Sequence, residues 1–170
     1  MDIEVTATGE TRGILRYGAL QFDCALGKGG VRRDKHEGDG ATPAGRFALR
    51  RLFYRADKLN PPQTRLPVQE IAPHDGWCDD PSSDLSNRHI RLPADMRHET
   101  LWREDDLYDL IIVLGHNDEP PVKGAGSCIF MHVAREGYGP TEGCVALKKE
   151  DLLTLLGALE ADCAIYIHAP

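Results

Sequence analysis

Hydrophobic and polar residues alternate along much of this chain, and the alternation predicts strands. Leu20, Phe22, Cys24 and Leu26 alternate with Gln21, Asp23 and Ala25, the period-two pattern of a half-buried strand. Ile3–Ala7 and residues 13–17 predict short strands around the turn Gly9-Glu10-Thr11. Residues 46–54 predict another, with Phe47, Leu49 and Leu52 facing inward. Residues 107–114 form the most apolar run and predict a central strand. Residues 127–133 and 143–147 predict two strands lying side by side, with a Gly139-Pro140 turn bringing the chain back between them. The period changes once, where Leu152, Leu155, Leu156 and Leu159 fall at i, i+3, i+4 and i+7 and predict one helical face. Glu150 and Asp151 in its first turn suit the positive end of the helix dipole. Residues 162–168 predict a last strand that closes the sheet, burying Cys163, while His168 is expected at the surface near the end. The stretches 60–67 and 73–87 are polar, contain proline and predict loops, and 97–105 is helical at most. The sum is a mainly β fold with one late helix, in a single domain over residues 1–170.

Composition narrows the partners. A formal net charge of −7 argues against a general nucleic-acid or membrane-surface binder, since phosphate contact needs a basic face. The N-terminal residues Met1 to Val5 carry neither a basic nor an apolar signal region, and no window approaches ~18 uninterrupted apolar residues. With Met1 as the natural start, a cytoplasmic location is expected. The cysteines Cys24, Cys78, Cys128, Cys144 and Cys163 are odd in number and contain no Cys-x-x-Cys pair, a poor disulfide framework that agrees with a reducing compartment.

Candidate chemistry gathers late in the chain. Ser127-Cys128-Ile129-Phe130-Met131-His132-Val133 is followed by Gly139-Pro140-Thr141-Glu142-Gly143-Cys144-Val145. A Cys and a His on neighbouring strands are the minimum for thiol catalysis, in which the imidazole takes the thiol proton and the thiolate attacks a carbonyl. The N–H groups of a bend at Glu142, Gly143 and Cys144 can converge on an oxyanion. The plainer reading makes Cys144 a small core residue and His132 a satisfied core histidine. Two metal sets are conceivable, His74, Cys78 and His89, and His116, Cys128, His132 and Cys144. The first matches no zinc spacing, and a metal on the second would consume the nucleophile. Gly27-Lys28-Gly29-Gly30 lacks the phosphate-loop pattern. Its neighbours Arg32, Arg33 and Lys35 form a basic cluster that reads either as a solvated face or as a carboxylate-binding rim. No cofactor and no metal are called for.

The Thr141–Val145 wording, with His132 upstream, resembles the signature of the L,D-transpeptidase (YkuD-type) family, a His followed by Ser/Thr-His-Gly-Cys. A second block, Gly38-Asp39-Gly40-Ala41-Thr42-Pro43-Ala44-Gly45-Arg46-Phe47, is similar to that family's Gly-Asp-x-x-Thr-Pro-x-Gly-x-Phe segment. The resemblance runs from about Gly27 to the C-terminus and implies a compact β-sandwich or barrel with the late helix packed on it. It implies Cys144 as nucleophile, His132 as general base in a thiolate–imidazolium pair, the Val133 carbonyl as orienter of the imidazole, and backbone N–H groups at Gly143 and Cys144 as oxyanion donors. The expected substrate-binding set is Thr141, Glu142, Tyr138, Asn117, Arg33 and Lys35.

The implied substrate is a murein (peptidoglycan) tetrapeptide or muropeptide, attacked at the amide between the L-configured centre of a diamino acid and the terminal D-Ala, which leaves as a thioester forms on Cys144. Acylation of Cys144 by carbapenems is a further implication. Three departures bear on the acceptor: the motif's His is Glu142, the Arg common two residues after the Cys is Ala146, and the His132–Cys144 interval is short. With the expected location, they point to L,D-carboxypeptidase activity in murein recycling. True transpeptidation or D-amino-acid exchange, and a non-catalytic module that holds murein peptides, are the alternatives.

Overall fold

A computed structural model describes residues 1–170. In chain order its elements are β1 (Ile3–Ala7), β2 (Arg12–Tyr17), β3 (Leu20–Ala25), β4 (Val31–Arg32), β5 (Thr42–Pro43), β6 (Gly45–Tyr54), β7 (Val68–Glu70), β8 (Asp75–Cys78), β9 (His89–Arg91), β10 (His98–Thr100), β11 (Leu110–Leu114), β12 (Phe130–Val133), β13 (Val145–Leu147), α1 (Lys149–Ala158) and β14 (Ala164–Ile167). The main sheet runs β11-β12-β13-β3-β2-β1-β14-β6-β7, and β6 also pairs with β11, so the strands from β11 round to β6 close into a barrel. Closure removes the unpaired edges that a sheet of this length would otherwise expose. The expected mainly β fold with one helix is the fold observed.

Side-chain alternation sorts residues into two cores. Leu52, Tyr54, Leu110, Ile112, Leu114, Met131, Val133, Val145 and Leu147 point into the barrel, beside Leu152, Leu155, Leu156 and Leu159 of the helix. Phe53, Ile111, Val113, Phe130 and Cys144 point outward into a second cluster with Trp77, Leu101, Leu107 and Tyr108. Burial on both faces explains why β11 reads as a continuous apolar run rather than an alternating one.

Two expectations change. The stretches around 75–78 and 98–100 are strands: β10, β8 and β9 form a separate antiparallel sheet whose Trp77 packs edge-on against Phe130, with ring centroids 5.1 Å apart. Asp75, Gly76, Trp77 and Cys78 are all buried, so tertiary packing overrides their weak strand propensity. The connection after β12 also does not simply turn the chain back. It crosses over through a 3-10 turn at Glu136–Tyr138, and β13 then pairs parallel to β12, with Met131 opposite Val145 and His132 opposite Ala146.

The helix is held by burial more than by capping, since its N-cap residue Lys148 makes no side-chain cap bond. Lys149 in its first turn and Lys58 both reach the buried carboxylate of Asp109, at 3.0 and 2.9 Å. Leu156→Ala removes a fully buried side chain from this face and should cost about 2–5 kcal/mol, read as a lower urea midpoint at unchanged m-value.

Candidate active site

Cys144 immediately precedes β13, and His132 lies on β12. Because Met131 pairs with Val145, Cys144 lies level with Phe130, and His132 is one diagonal step along on the same outward face. Diagonal neighbours on adjacent strands are within side-chain reach of each other. Both residues line a cleft of about 530 Å³ and both are nearly buried, at 6% and 7% exposure.

The imidazole is held by its neighbours. His132 Nδ1 donates to the Val133 carbonyl at 2.9 Å, which leaves Nε2 as the free acceptor nitrogen. The Tyr108 ring meets the imidazole edge-on at 5.4 Å, and the Tyr108 hydroxyl donates to Glu99 Oε1 at 2.6 Å.

The thiol is oriented too. Cys144 Sγ donates to the Cys128 carbonyl at 3.2 Å. That carbonyl belongs to a residue in the left-handed region, φ 58°, whose N–H is accepted by Asn87 Oδ1 at 3.2 Å. Asn87 is itself buried. It also accepts the Trp77 indole N–H and donates to the carbonyls of His116 and Asn117, so one amide ties three segments behind the thiol.

Electrostatics sets the resting protonation. Burial, followed by the charge of Glu99, pushes the Cys144 thiol up to about 12. Burial pulls His132 down to about 4, against the raising influence of its bond to Val133. The resting pair is therefore neutral thiol and neutral imidazole, not the expected thiolate–imidazolium pair, because a low-dielectric wall penalises both charges.

The bend before Cys144 is built by backbone proximity. Gly143 has φ 133°, and a Cβ there would lie 2.7 Å from the Ala41 carbonyl oxygen. A Cβ on Gly27 would lie 2.3 Å from the Gly40 carbonyl oxygen and 3.0 Å from Gly143 Cα. Thr141 staples the bend: its hydroxyl accepts from the Gly143 N–H at 3.1 Å and donates to the Cys144 carbonyl at 2.7 Å. The Gly143 N–H is thus committed, whereas those of Glu142 and Cys144 bond no acceptor within the protein.

Of the residues expected to bind substrate, the structure brings Lys35, Thr141 and Glu142 to the cleft. Lys35 is paired with the buried Asp39 carboxylate, and Glu142 with Lys28 at 2.9 Å. Three residues fall outside the cleft lining. Asn117, at φ 51°, spends its side chain on Val122 and Gly126 within its own loop. Arg33 is exposed beyond the rim. Tyr138 lies under the Arg12 guanidinium, 4.4 Å from its ring centroid. His116, named in the second metal set, packs edge-on against Phe47, also outside the lining.

The sequence reading missed Glu37, Asp79, Arg97, Glu99, Arg103, Tyr108 and Arg135, which supply most of the cleft's charge. No local pattern marks them, since they converge from separate loops and from β10. Ala146, which stands where the family motif commonly has Arg, is buried on β13 opposite His132.

The model of the L,D-transpeptidase catalytic domain family, YkuD, matches residues 7–167. The chain belongs to that family. Neither the curated proteins nor the solved structures contain a match to it. YkuD domains are cysteine-dependent L,D-transpeptidases that act on peptidoglycan peptides, and Cys144 lines this cleft together with His132 and Cys128. Resting thiol reactivity follows from the burial. Iodoacetamide should label Cys144 far more slowly at pH 7 than it labels free cysteine, with the rate still rising at pH 10, as followed by peptide mass spectrometry.

Proposed function

We propose that this YkuD domain uses Cys144 as nucleophile and His132 as general base to release the terminal D-Ala of murein tetrapeptides by hydrolysis, as an L,D-carboxypeptidase. The observation that carries the reading is the placement of Cys144 and His132 on one face of adjacent parallel strands, at the floor of a cleft bordered by charges of both signs. Arg135, which lines the cleft and makes no ion pair within the protein, suits a carboxylate of a short anionic peptide, since guanidinium groups bind carboxylates bidentately.

The neutral resting pair means that the proton moves as the bond forms. His132 Nε2 takes the Cys144 proton while sulfur attacks the carbonyl carbon of the diamino acid, and the oxyanion develops in the bend. The unengaged N–H groups of Glu142 and Cys144 are its donors, each typically worth ~3 kcal/mol of barrier. His132 then protonates the leaving D-Ala nitrogen, leaving a thioester on Cys144. Water, deprotonated by the same imidazole, attacks the thioester and restores the thiol.

One feature favours water as acceptor. An amine acceptor must shed a proton, and the position that holds His in the family motif is Glu142, already paired with Lys28. Purified protein incubated with a soluble tetrapeptide, with and without a D-amino acid, should yield tripeptide and free D-Ala by mass spectrometry. Cys144→Ala should abolish the products, and crosslinked or exchanged products alone would overturn the hydrolytic choice. His132→Ala should lower kcat/KM by about 10²–10⁴-fold. In the wild type kcat/KM should fall as pH drops through about 4, where His132 gains its proton and can no longer act as base.

A further inference from the structure

Glu99 is a cleft carboxylate beside the nucleophile that makes no ion pair. It sits on β10 opposite Trp77, half-buried, and lines the cleft with Cys128, His132 and Cys144. It accepts the Tyr108 hydroxyl at 2.6 Å and is hydrogen-bonded by the Cys128 thiol, both neutral donors. Of the other acidic side chains of the cleft, Asp79 is paired with Arg97 and Glu142 with Lys28, while Glu37 accepts the Ser127 hydroxyl; Glu99 has the largest charge effect of them on the Cys144 thiol. Arg103 is the cation nearest in influence, but two bonds of 2.8 and 2.6 Å hold its guanidinium on Asp105.

We propose that Glu99 is the receptor for the free side-chain ammonium of the substrate's diamino acid, which sets the enzyme's preference for peptides that carry that charge. This rests on the tetrapeptide reading above and names the group that recognises its third residue. A partly desolvated carboxylate with no ion pair gains most from a ligand that supplies the missing cation, and a neutral ligand leaves it unpaired. The donor side of the peptide brings the scissile carbonyl to Cys144, so its side-chain ammonium has to be placed within the same cleft.

Glu99 also links recognition to reactivity. Its charge is the largest charge effect on the Cys144 thiol, and it acts to keep the proton on sulfur. It acts the same way on Cys128 and on the Tyr108 hydroxyl. An ammonium bound at Glu99 offsets that influence, so the thiol becomes easier to deprotonate when a cationic peptide is seated. The nucleophile is thereby held quiet in the empty cleft.

The test compares one tetrapeptide with its side-chain amine free against the same peptide with that amine acetylated. Wild-type protein should prefer the free amine by about tenfold or more, chiefly in KM, and Glu99→Gln should reduce the preference to about twofold or less. Glu99→Gln keeps a hydrogen-bond acceptor for Tyr108, so the local fold is retained. An amine preference that survives in Glu99→Gln overturns the proposal. Calorimetric binding of the two peptides to wild type and Glu99→Gln reads the same preference without turnover. Absent turnover with a Glu99-dependent binding preference would overturn the hydrolase reading and sustain this one. Equal affinities of both peptides for wild type would overturn this one alone. In the absence of peptide, iodoacetamide should label Cys144 several-fold faster in Glu99→Gln than in wild type at one fixed pH. Equal rates would remove the link to reactivity.

Discussion

The pairing of β12 with β13, parallel and covered on both faces, is the constraint from which the site follows. Period-two alternation sends Met131, Val133, Val145 and Leu147 into the barrel, and it must then send His132 and Cys144 the other way. A slip of one residue would bury the imidazole in the apolar barrel and leave Val133 on the cleft floor, so the core fixes the register of the chemistry. The same two-sided cover makes the pair neutral at rest. A solvent-exposed arrangement would have let the thiol ionise more easily, but without the dry wall that makes aligned backbone dipoles effective.

Support for the pair comes from uncharged parts. The Val133 carbonyl sets the imidazole, Thr141 closes the bend, and Asn87 fixes the backbone whose carbonyl holds the thiol. Each bond lies within or between rigid segments, so uncharged groups place both side chains. The glycine contacts at Gly27 and Gly143 do the complementary work of bringing two loops closer than any side chain would permit. Charge is confined to the cleft walls, where a peptide's own charges meet it.

The barrel and the bend before Cys144 were legible in sequence for local reasons. Alternation in β1 to β3, the apolar run of β11 and the helical spacing of Leu152, Leu155, Leu156 and Leu159 each reflect contacts their own segment makes. The Thr141–Val145 bend was legible because its tight geometry demands particular residues. The parallel crossing into β13 was not, since a Gly-Pro connection is equally consistent with a chain reversal. β8 and β10 escaped notice because short strands full of Asp, Gly and His owe their form to Trp77 packing on Phe130. For the same reason the expected substrate residues Asn117, Arg33 and Tyr138 lay outside the cleft while Glu99, Arg103 and Tyr108 lay inside it. Convergence from distant segments leaves no spacing to read.

The wall bearing Glu99 departs from the barrel at Tyr54 and returns at Leu110, and these two residues are partners in the β6–β11 ladder. Its two ends are therefore stitched together whatever lies between them. Altering the length of the intervening chain changes closure entropy only logarithmically, so the barrel tolerates loop insertions in this wall at little cost while Trp77, Leu101 and Tyr108 still cover its outward face. The proposed reacting pair and the proposed recognition group thus sit on separately heritable pieces of the polypeptide, one locked into the barrel and one pinned across its side.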